Sequence, residues 1–380
     1  MKNLKKSVAF FLPTLETGGA ERIVVNIVNN LDRKKYDVSL ILAEAKGGFL
    51  DEIGEDVSVA TFKINSDVKL FFKLIKYFRS ENIDIFVSAF PRINVICILA
   101  KVLSGAKTKI IITEHSDFSL LPTVAKNSRR RFFARFFLPV LAKILYPMAD
   151  KIVCVSKGIA EDLSKIVNCK EKFDIIYNPI ISKNIYELAK APIDISSFLI
   201  GEQYMLAVGR LALRKDYPTL LHALVFVIEK RPKQKLVILG DGSEEKKIVQ
   251  LSKDLGLSEN VIFMGNQKNP YNFMANAEIF VLSSISEGFP TVIVEAMACG
   301  VPIVSTNCKS GPNEIIEDKK NGLLVPVSDE RSLANAILEL LNNKKLREKF
   351  SIEGRKKAEC FSIEESISEY EKLFDKMFPI

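Results

Sequence analysis

Two glutamates eight residues apart, Glu287 and Glu295, flank a short apolar run in SISEGFPTVIVEAMACG. Paired carboxylates can act as general acid and base, grip a polyhydroxylated ligand, or sit in water as surface charge. Their setting separates these options. AEIFVLSS reads as a strand, and Pro290 suits the first turn of a helix, TVIVEAMA, that Gly300 ends. Glu287 then lies in the strand-to-helix loop and Glu295 within the helix, so the two do not share a helical face. Glu287, with the backbone N–H groups around Gly288 and Phe289, suits sugar hydroxyls or an anion. Glu295 could turn its carboxylate to a ribose diol, although an exposed helical glutamate needs no ligand at all.

Other strand ends carry further chemistry. In AVGRLALRKDYPTLLHAL a strand runs into Gly209 and Arg210, with Lys215 and Asp216 just before a helix. An Arg and a Lys there can neutralise a departing diphosphate, or simply form a solvated basic loop. IITEHSDF places Glu114 and His115 at another strand end, where His115 can donate to a reacting hydroxyl or serve the fold. His222, in TLLHALV, reads as structural. In LETGGAERIV, Gly18 and Gly19 open a helix whose N–H groups could meet a phosphate; a Gly pair also lets a helix start close to a sheet.

These loops need a frame. Six apolar runs (SVAFFLPTL, DVSLILA, IDIFVSAF, TKIIIT, DKIVCVS, FDIIYNP) read as strands of a first domain. Six more (QYMLAVG, QKLVILGDG, NVIFMG, AEIFVLSS, PIVST, GLLVP) read as strands of a second. The stretches between them repeat apolar residues with helical period. Such alternation predicts α/β architecture with parallel sheets covered on both faces. The 380 residues suit two doubly wound domains, spanning 1–182 and 183–361 and joined through the proline-bearing stretch 177–197. Ligands of such sheets bind beyond the carboxyl ends of the strands, so a cleft between two facing domains is the expected site.

Composition narrows the chemistry. Six scattered cysteines without CxxC spacing, and only two histidines, predict neither disulfides nor a metal centre. The basic N-terminus has an apolar run of only about seven residues and no small-residue cleavage site, so it reads as a buried strand of a cytoplasmic protein. The net charge of +8 is uneven. Residues 1–180 hold 28 Lys/Arg against 19 Asp/Glu, which suggests an anionic partner for the first half and a small ligand for the second.

Together TGGAE, EHS, VGRLALRKD, LGDG, SEGFPTVIVEAMACGVPIV and NGLLV resemble the retaining family 4 glycosyltransferases of GT-B fold, from about residue 7 onward. The start of the chain is similar to enzymes that extend polyprenyl-diphosphate-linked oligosaccharides and surface polysaccharides. The resemblance implies two Rossmann-like domains, the first binding acceptor and the second the nucleotide-sugar, with a final helix (362–380) packing back on the first. It implies that Arg210 and Lys215 bind the donor diphosphate and that Glu295 takes the ribose. Glu287 would contact the donor sugar beside Gly288, Phe289 and Pro290, and His115 would reach the sugar or the acceptor. Gly18 and Gly19 would close around donor or acceptor. No cofactor or metal is implied beyond the nucleotide-sugar, and UDP is the expected carrier. Asp216 stands where many relatives have Asn. A glycosidase would need both carboxyls aimed at one bond from opposite sides; the pair alone does not decide this, and the accompanying diphosphate loop argues for the transferase.

KNSRRRFFARFFLPVLAKILYPMADK (126–151) carries seven Lys/Arg and one Asp among apolar residues, too interrupted to span a membrane. With Lys69, Lys73 and Lys76 at helical spacing beside aromatic residues, its Arg129, Arg130, Arg131 and Arg135 predict a surface for anionic lipid or an acceptor diphosphate. Two amphipathic helices burying their Phe faces are the plain alternative. No nucleic-acid motif accompanies the charge. The expectation is a transferase peripherally attached to the inner face of the cell membrane. A nucleotide-sugar 2-epimerase of the same architecture, or a basic membrane-binding module without activity, are the alternatives.

Overall fold

The computed structural model describes residues 5–16, 18–121, 131–193 and 203–378. The chain forms two compact units, Met1–Pro179 with Ile363–Ile380, and Ile180–Ser362.

The first unit holds seven parallel strands: β1 (Lys6–Leu12), β2 (Tyr36–Leu42), β3 (Ser58–Thr61), β4 (Ile85–Ala89), β5 (Lys109–Glu114), β6 (Lys151–Cys154) and β7 (Phe173–Ile175), in the order β3-β2-β1-β4-β5-β6-β7. Central strands are buried on both faces because helices cover both, and this is why they read as unbroken apolar runs; all five residues of β4 are buried. β3 escaped the sequence reading for the opposite reason. It is a four-residue edge strand, SVAT, with three residues exposed, and so has no apolar run.

The second unit holds β8 (Tyr204–Val208), β9 (Lys235–Leu239), β10 (Val261–Gly265), β11 (Ile279–Leu282), β12 (Ile303–Thr306) and β13 (Leu323–Val325), in the order β10-β9-β8-β11-β12-β13. All six were legible as apolar runs. In both sheets the order reverses between the first strand and the fourth, so crevices open beyond β1/β4 and beyond β8/β11.

The last helix, Ile363–Lys376, lies with the first unit. It buries Ile363, Ile367, Tyr370 and Phe374, one stripe at helical spacing, each worth roughly 1.5–3 kcal/mol. Phe374 meets Tyr36 edge-to-face at 5.7 Å, and the Tyr36 hydroxyl donates to Asp375 at 3.0 Å. Lys35 pairs with Glu371 at 3.2 Å.

Candidate active site

In the second unit, the crevice between β8 and β11 is bounded by the loops that leave those strands. Ile285 N–H donates to Arg214 O at 2.9 Å and Ser283 Oγ to Lys215 O at 2.8 Å, so the two loops are stitched together. The stitching brings together two side chains that the sequence placed in separate motifs. Lys215 Nζ donates to Glu287 Oε1 at 2.5 Å, and Ser284 Oγ donates to the same oxygen at 2.6 Å. The side chains of Lys215 and Glu287 are only 8% and 6% exposed. Burial pushes the Glu287 pKa up, but the Lys215 and Arg214 charges and the two hydrogen bonds outweigh it, and the carboxyl sits below its ordinary value. The site therefore holds a buried lysine–carboxylate ion pair beside the crevice.

The loop after β9 comes close enough to require glycine. Gly240 has φ +127°, and a Cβ there would lie 2.2 Å from Gly209 O. LGDG thus packs backbone on backbone against VGRL. Arg210 is exposed on this rim, with no hydrogen bond or ion pair among the described residues. Glu295 is half-buried midway along the helix Thr291–Cys299. Pro290 precedes that helix rather than filling its first turn. Gly288, Phe289 and Pro290 are buried, and the Phe289 ring packs on Phe361 at 5.3 Å. The ring of Phe289 thus belongs to the core, leaving main chain as the polar contribution of this stretch.

In the first unit, His115 follows β5 and is half-buried. Its Nε2 lies 3.0 Å from Thr113 Oγ1, which donates to Ser88 O at 3.2 Å. With the hydroxyl proton assigned to Ser88, His115 donates through Nε2–H and keeps Nδ1 as an acceptor. Burial lowers its pKa to about 4, so the ring is neutral near pH 7. The structure thus favours a hydrogen-bond acceptor where the sequence suggested a donor. Beneath it, Glu114 accepts from Tyr146 OH at 2.5 Å and from Asn94 Nδ2 at 2.9 Å, while its Oε2 is buried with no partner among the described residues. Burial raises its pKa to about 7, with those two hydrogen bonds opposing the shift. At Gly18, a Cβ would sit 2.1 Å from a Glu21 carboxylate oxygen. The helix N-terminus that Gly18 and Gly19 open is thus already faced by a carboxylate, which an incoming phosphate would have to displace.

The basic, aromatic set also has a common place. Lys69, Lys73 and Lys76 are exposed beside Phe72 and Val68, while Leu70, Leu74 and Phe78 of the same helix face the core. Arg131 and Arg135 are exposed; Arg129 and Arg130 lie outside the described residues. Phe133–Phe137 winds as a π-helical turn before the helix Leu138–Leu145. Phe132, Phe133, Phe136 and Phe137 recur at i, i+1, i+4 and i+5, which share one helical face, and all four are 36–58% exposed. The plain alternative of a buried Phe face does not hold here. The helices Asp67–Ser80 and Pro91–Ser104 pack side by side, and Leu138–Leu145 packs on the latter. Leu99, Val102 and Leu103 of the middle helix extend the apolar surface. Among the described residues, no helix is long and apolar enough to cross a membrane.

Sequence reasoning missed Ser284, Arg214, Asn94 and Tyr146. Ser284 had a signal, three residues before Glu287 in the same loop. Asn94 and Tyr146 had none, being single polar groups in apolar stretches whose partners come from other elements.

With this geometry in place, comparison with known proteins becomes informative. The "Glycosyltransferase Family 4" model matches residues 17–183, and "Glycosyl transferases group 1" matches 194–357. The chain is 33% identical, over 94% of its length and 96% of the relative's, to the "N-acetylgalactosamine-N,N'-diacetylbacillosaminyl-diphospho-undecaprenol 4-alpha-N-acetylgalactosaminyltransferase" of Campylobacter jejuni. It is 28% identical, over 96% of its length and 97% of the relative's, to the same organism's "GalNAc-alpha-(1->4)-GalNAc-alpha-(1->3)-diNAcBac-PP-undecaprenol alpha-1,4-N-acetyl-D-galactosaminyltransferase". Among solved structures, Anabaena HepE in complex with UDP and glucose superposes with TM-score 0.78 at 20% identity, covering 97% of this chain and 99% of that one. That likeness shows the fold, two parallel-sheet α/β domains of GT-B type.

Proposed function

The chain belongs to the family 4 glycosyltransferases, and from that premise we propose that it moves an N-acetylhexosamine or hexose from a UDP-sugar to a lipid-linked oligosaccharide or surface polysaccharide. The buried Lys215–Glu287 pair beside the β8/β11 crevice carries the reading. It offers a cation for the departing diphosphate and a carboxylate for the sugar hydroxyls within one rigid unit. Arg210, exposed on the same rim, adds a second positive charge for the diphosphate. Glu295 would hold the ribose, and main-chain groups at Gly288 and Phe289 the sugar.

The proposed reaction retains configuration. The acceptor oxygen bonds to the anomeric carbon on the face that the diphosphate leaves, the carbon–oxygen bond to phosphate breaks, and the acceptor proton passes to the departing phosphate. Glu287 suits orientation rather than covalent attack, because its Oε1 is already engaged by Lys215 and Ser284. The neutral His115 would accept a hydroxyl hydrogen bond through Nδ1. The diphosphate charge is met by Arg210 and Lys215, and the proposal includes no metal.

The exposed basic and aromatic face of the first unit supports docking on an anionic membrane, where a polyprenyl-linked acceptor resides. The nucleotide-sugar epimerase reading has no observation in its favour. Incubation with radiolabelled UDP-N-acetylgalactosamine, UDP-glucose or GDP-mannose and a bacterial lipid extract tests the whole scheme. Label in the lipid phase from a UDP-sugar, undiminished by EDTA, is the expected result; label confined to altered free donor would overturn it.

A further inference from the structure

Five residues other than glycine have positive φ among the described residues: Lys63, Phe90, Asp216, Lys319 and Ser328. Four are polar. Phe90, at φ +76° and ψ 128°, is the aromatic exception. A bulky L-residue there is a genuine outlier. The following Pro91 adds to the strain, because a residue before proline is driven toward φ near −120°. The Phe90 ring is half-buried and makes no ring stacking or cation contact among the described residues. Glycine would make the same turn without the Cβ clash, losing only the chain entropy that any glycine gives up on folding.

The position explains what the strain could be kept for. Phe90 directly follows β4, the strand at which the order of the first sheet reverses, so it stands at that sheet's ligand crevice. Ala89 pairs with Thr113 in the β4–β5 register, which brings Phe90 level with Glu114 and one residue short of His115. Asn94 ties the two strand ends: Ser88 Oγ donates to its Oδ1 at 2.8 Å, its Nδ2 donates to Thr113 O at 3.1 Å and to Glu114 at 2.9 Å, and its own N–H donates to Phe90 O at 2.8 Å. A strained aromatic, tied by a fully buried amide to the strand end that carries His115, is a composed site. A flat apolar face next to a hydroxyl-binding group is the pattern that takes a sugar ring.

We propose that Phe90 is a binding residue for the acceptor, its ring stacking on the apolar face of the acceptor's terminal sugar while His115 takes a hydroxyl. The inference rests on the transferase reading and deepens it by giving the first unit a sugar subsite. It predicts a split between stability and use of acceptor. Phe90→Gly relieves the backbone, so its melting temperature stays at or above that of the wild type. Its KM for GalNAc-diNAcBac-diphospho-undecaprenol rises at least tenfold, while its affinity for UDP stays within twofold. Phe90→Tyr keeps the aromatic face and stays within threefold of wild type for the acceptor, whereas Phe90→Leu follows the glycine variant. A purely structural role would instead lower the melting temperature of Phe90→Gly and leave its acceptor KM unchanged, and that result overturns the inference. A wild-type protein that moves no sugar from any UDP-sugar into the lipid phase of a bacterial extract would overturn the functional reading and the ligand class together. An active wild type with an unaffected Phe90→Gly overturns the role of Phe90 alone.

Discussion

Glu287 and Glu114 are both buried at the carboxyl end of a parallel sheet, one in each unit, and their pKa values move in opposite directions. Glu287 has a lysine 2.5 Å away and is held ionised. Among the described residues the donors to Glu114 are the neutral groups Tyr146 and Asn94, and burial raises it to about 7. Similar fold and similar depth thus give two different groups, and the partner decides which. A carboxylate with a buried cation is a fixed charge for binding a polar ligand. One surrounded by hydroxyl and amide groups is a hydrogen-bonding post that holds strand ends in register.

Removing the cation should erase that difference, with the largest effect in the molecule. Lys215→Ala leaves Glu287 buried and uncompensated, which costs about 3–5 kcal/mol by analogy with broken buried pairs. Transfer should fall by roughly 10³-fold or more, as expected when a donor to the departing charge is lost. Glu287→Ala should lose activity similarly. The double variant Lys215→Met with Glu287→Gln should recover most of the stability in urea unfolding but none of the activity. Normal transfer by either single variant would break the site assignment.

A second test sharpens the comparison from the other side. The native pKa of Glu114, about 7, lies above the unfolded value near 4.3, so the folded protein binds more protons between those pH values. Its contribution to stability is full below pH 4.3 and is lost as pH rises through 7. Glu114→Gln has no such slope and mimics the protonated acid. Its stability relative to wild type should therefore improve by about 3 kcal/mol between pH 4 and pH 8, from 1.36 kcal/mol per unit. His115, lowered to about 4, destabilises both proteins as pH falls from 6.5 to 4 and so cancels in the difference. Parallel pH–stability curves for the two proteins would show that Glu114 is ionised after all.

These contrasts mark the limit of what the sequence disclosed. All six strands of the second sheet were visible because burial on both faces demands unbroken apolar runs. The β3 edge was not, because SVAT is mostly exposed. Lys215 and Glu287 were each legible as residues after a strand. Their direct contact was not, because it depends on β8 and β11 being neighbours across the crevice, and sequence order says nothing of that. The uncharged surroundings of Glu114 were hidden for the same reason, since Asn94 and Tyr146 arrive from a helix and a turn distant in the chain.

Charge serves a different purpose on the outer face of the first unit, where it is exposed and screened. Arg131→Gln with Arg135→Gln should weaken binding to phosphatidylglycerol vesicles, read by sedimentation, by about 2 kcal/mol, at about 1 kcal/mol for each basic side chain lost. Soluble-donor binding should not change. Equal sedimentation of variant and wild type would remove the electrostatic half of the membrane proposal, leaving the exposed phenylalanines to carry it.

The smallest expected effect concerns Asp216, which returns the comparison to a carboxylate near Lys215. Asp216 adopts φ +46° and ψ 47° and caps the helix Tyr217–Lys230, with Thr219 Oγ1 donating to Oδ2 at 2.7 Å and Ser328 Oγ donating to the same atom at 3.1 Å. Both Asp and Asn tolerate left-handed backbone and both make good caps. A charged cap gains slightly from the helix dipole, worth about 0.3–1 kcal/mol, while Asn is the easier residue in this conformation. Asp216→Asn should therefore shift stability by no more than about 0.5 kcal/mol and leave transfer within twofold, read by urea unfolding and initial rates. A loss of activity well beyond that would mean that the Asp216 charge, three bonds of backbone from Lys215, takes part in setting how firmly the lysine is held.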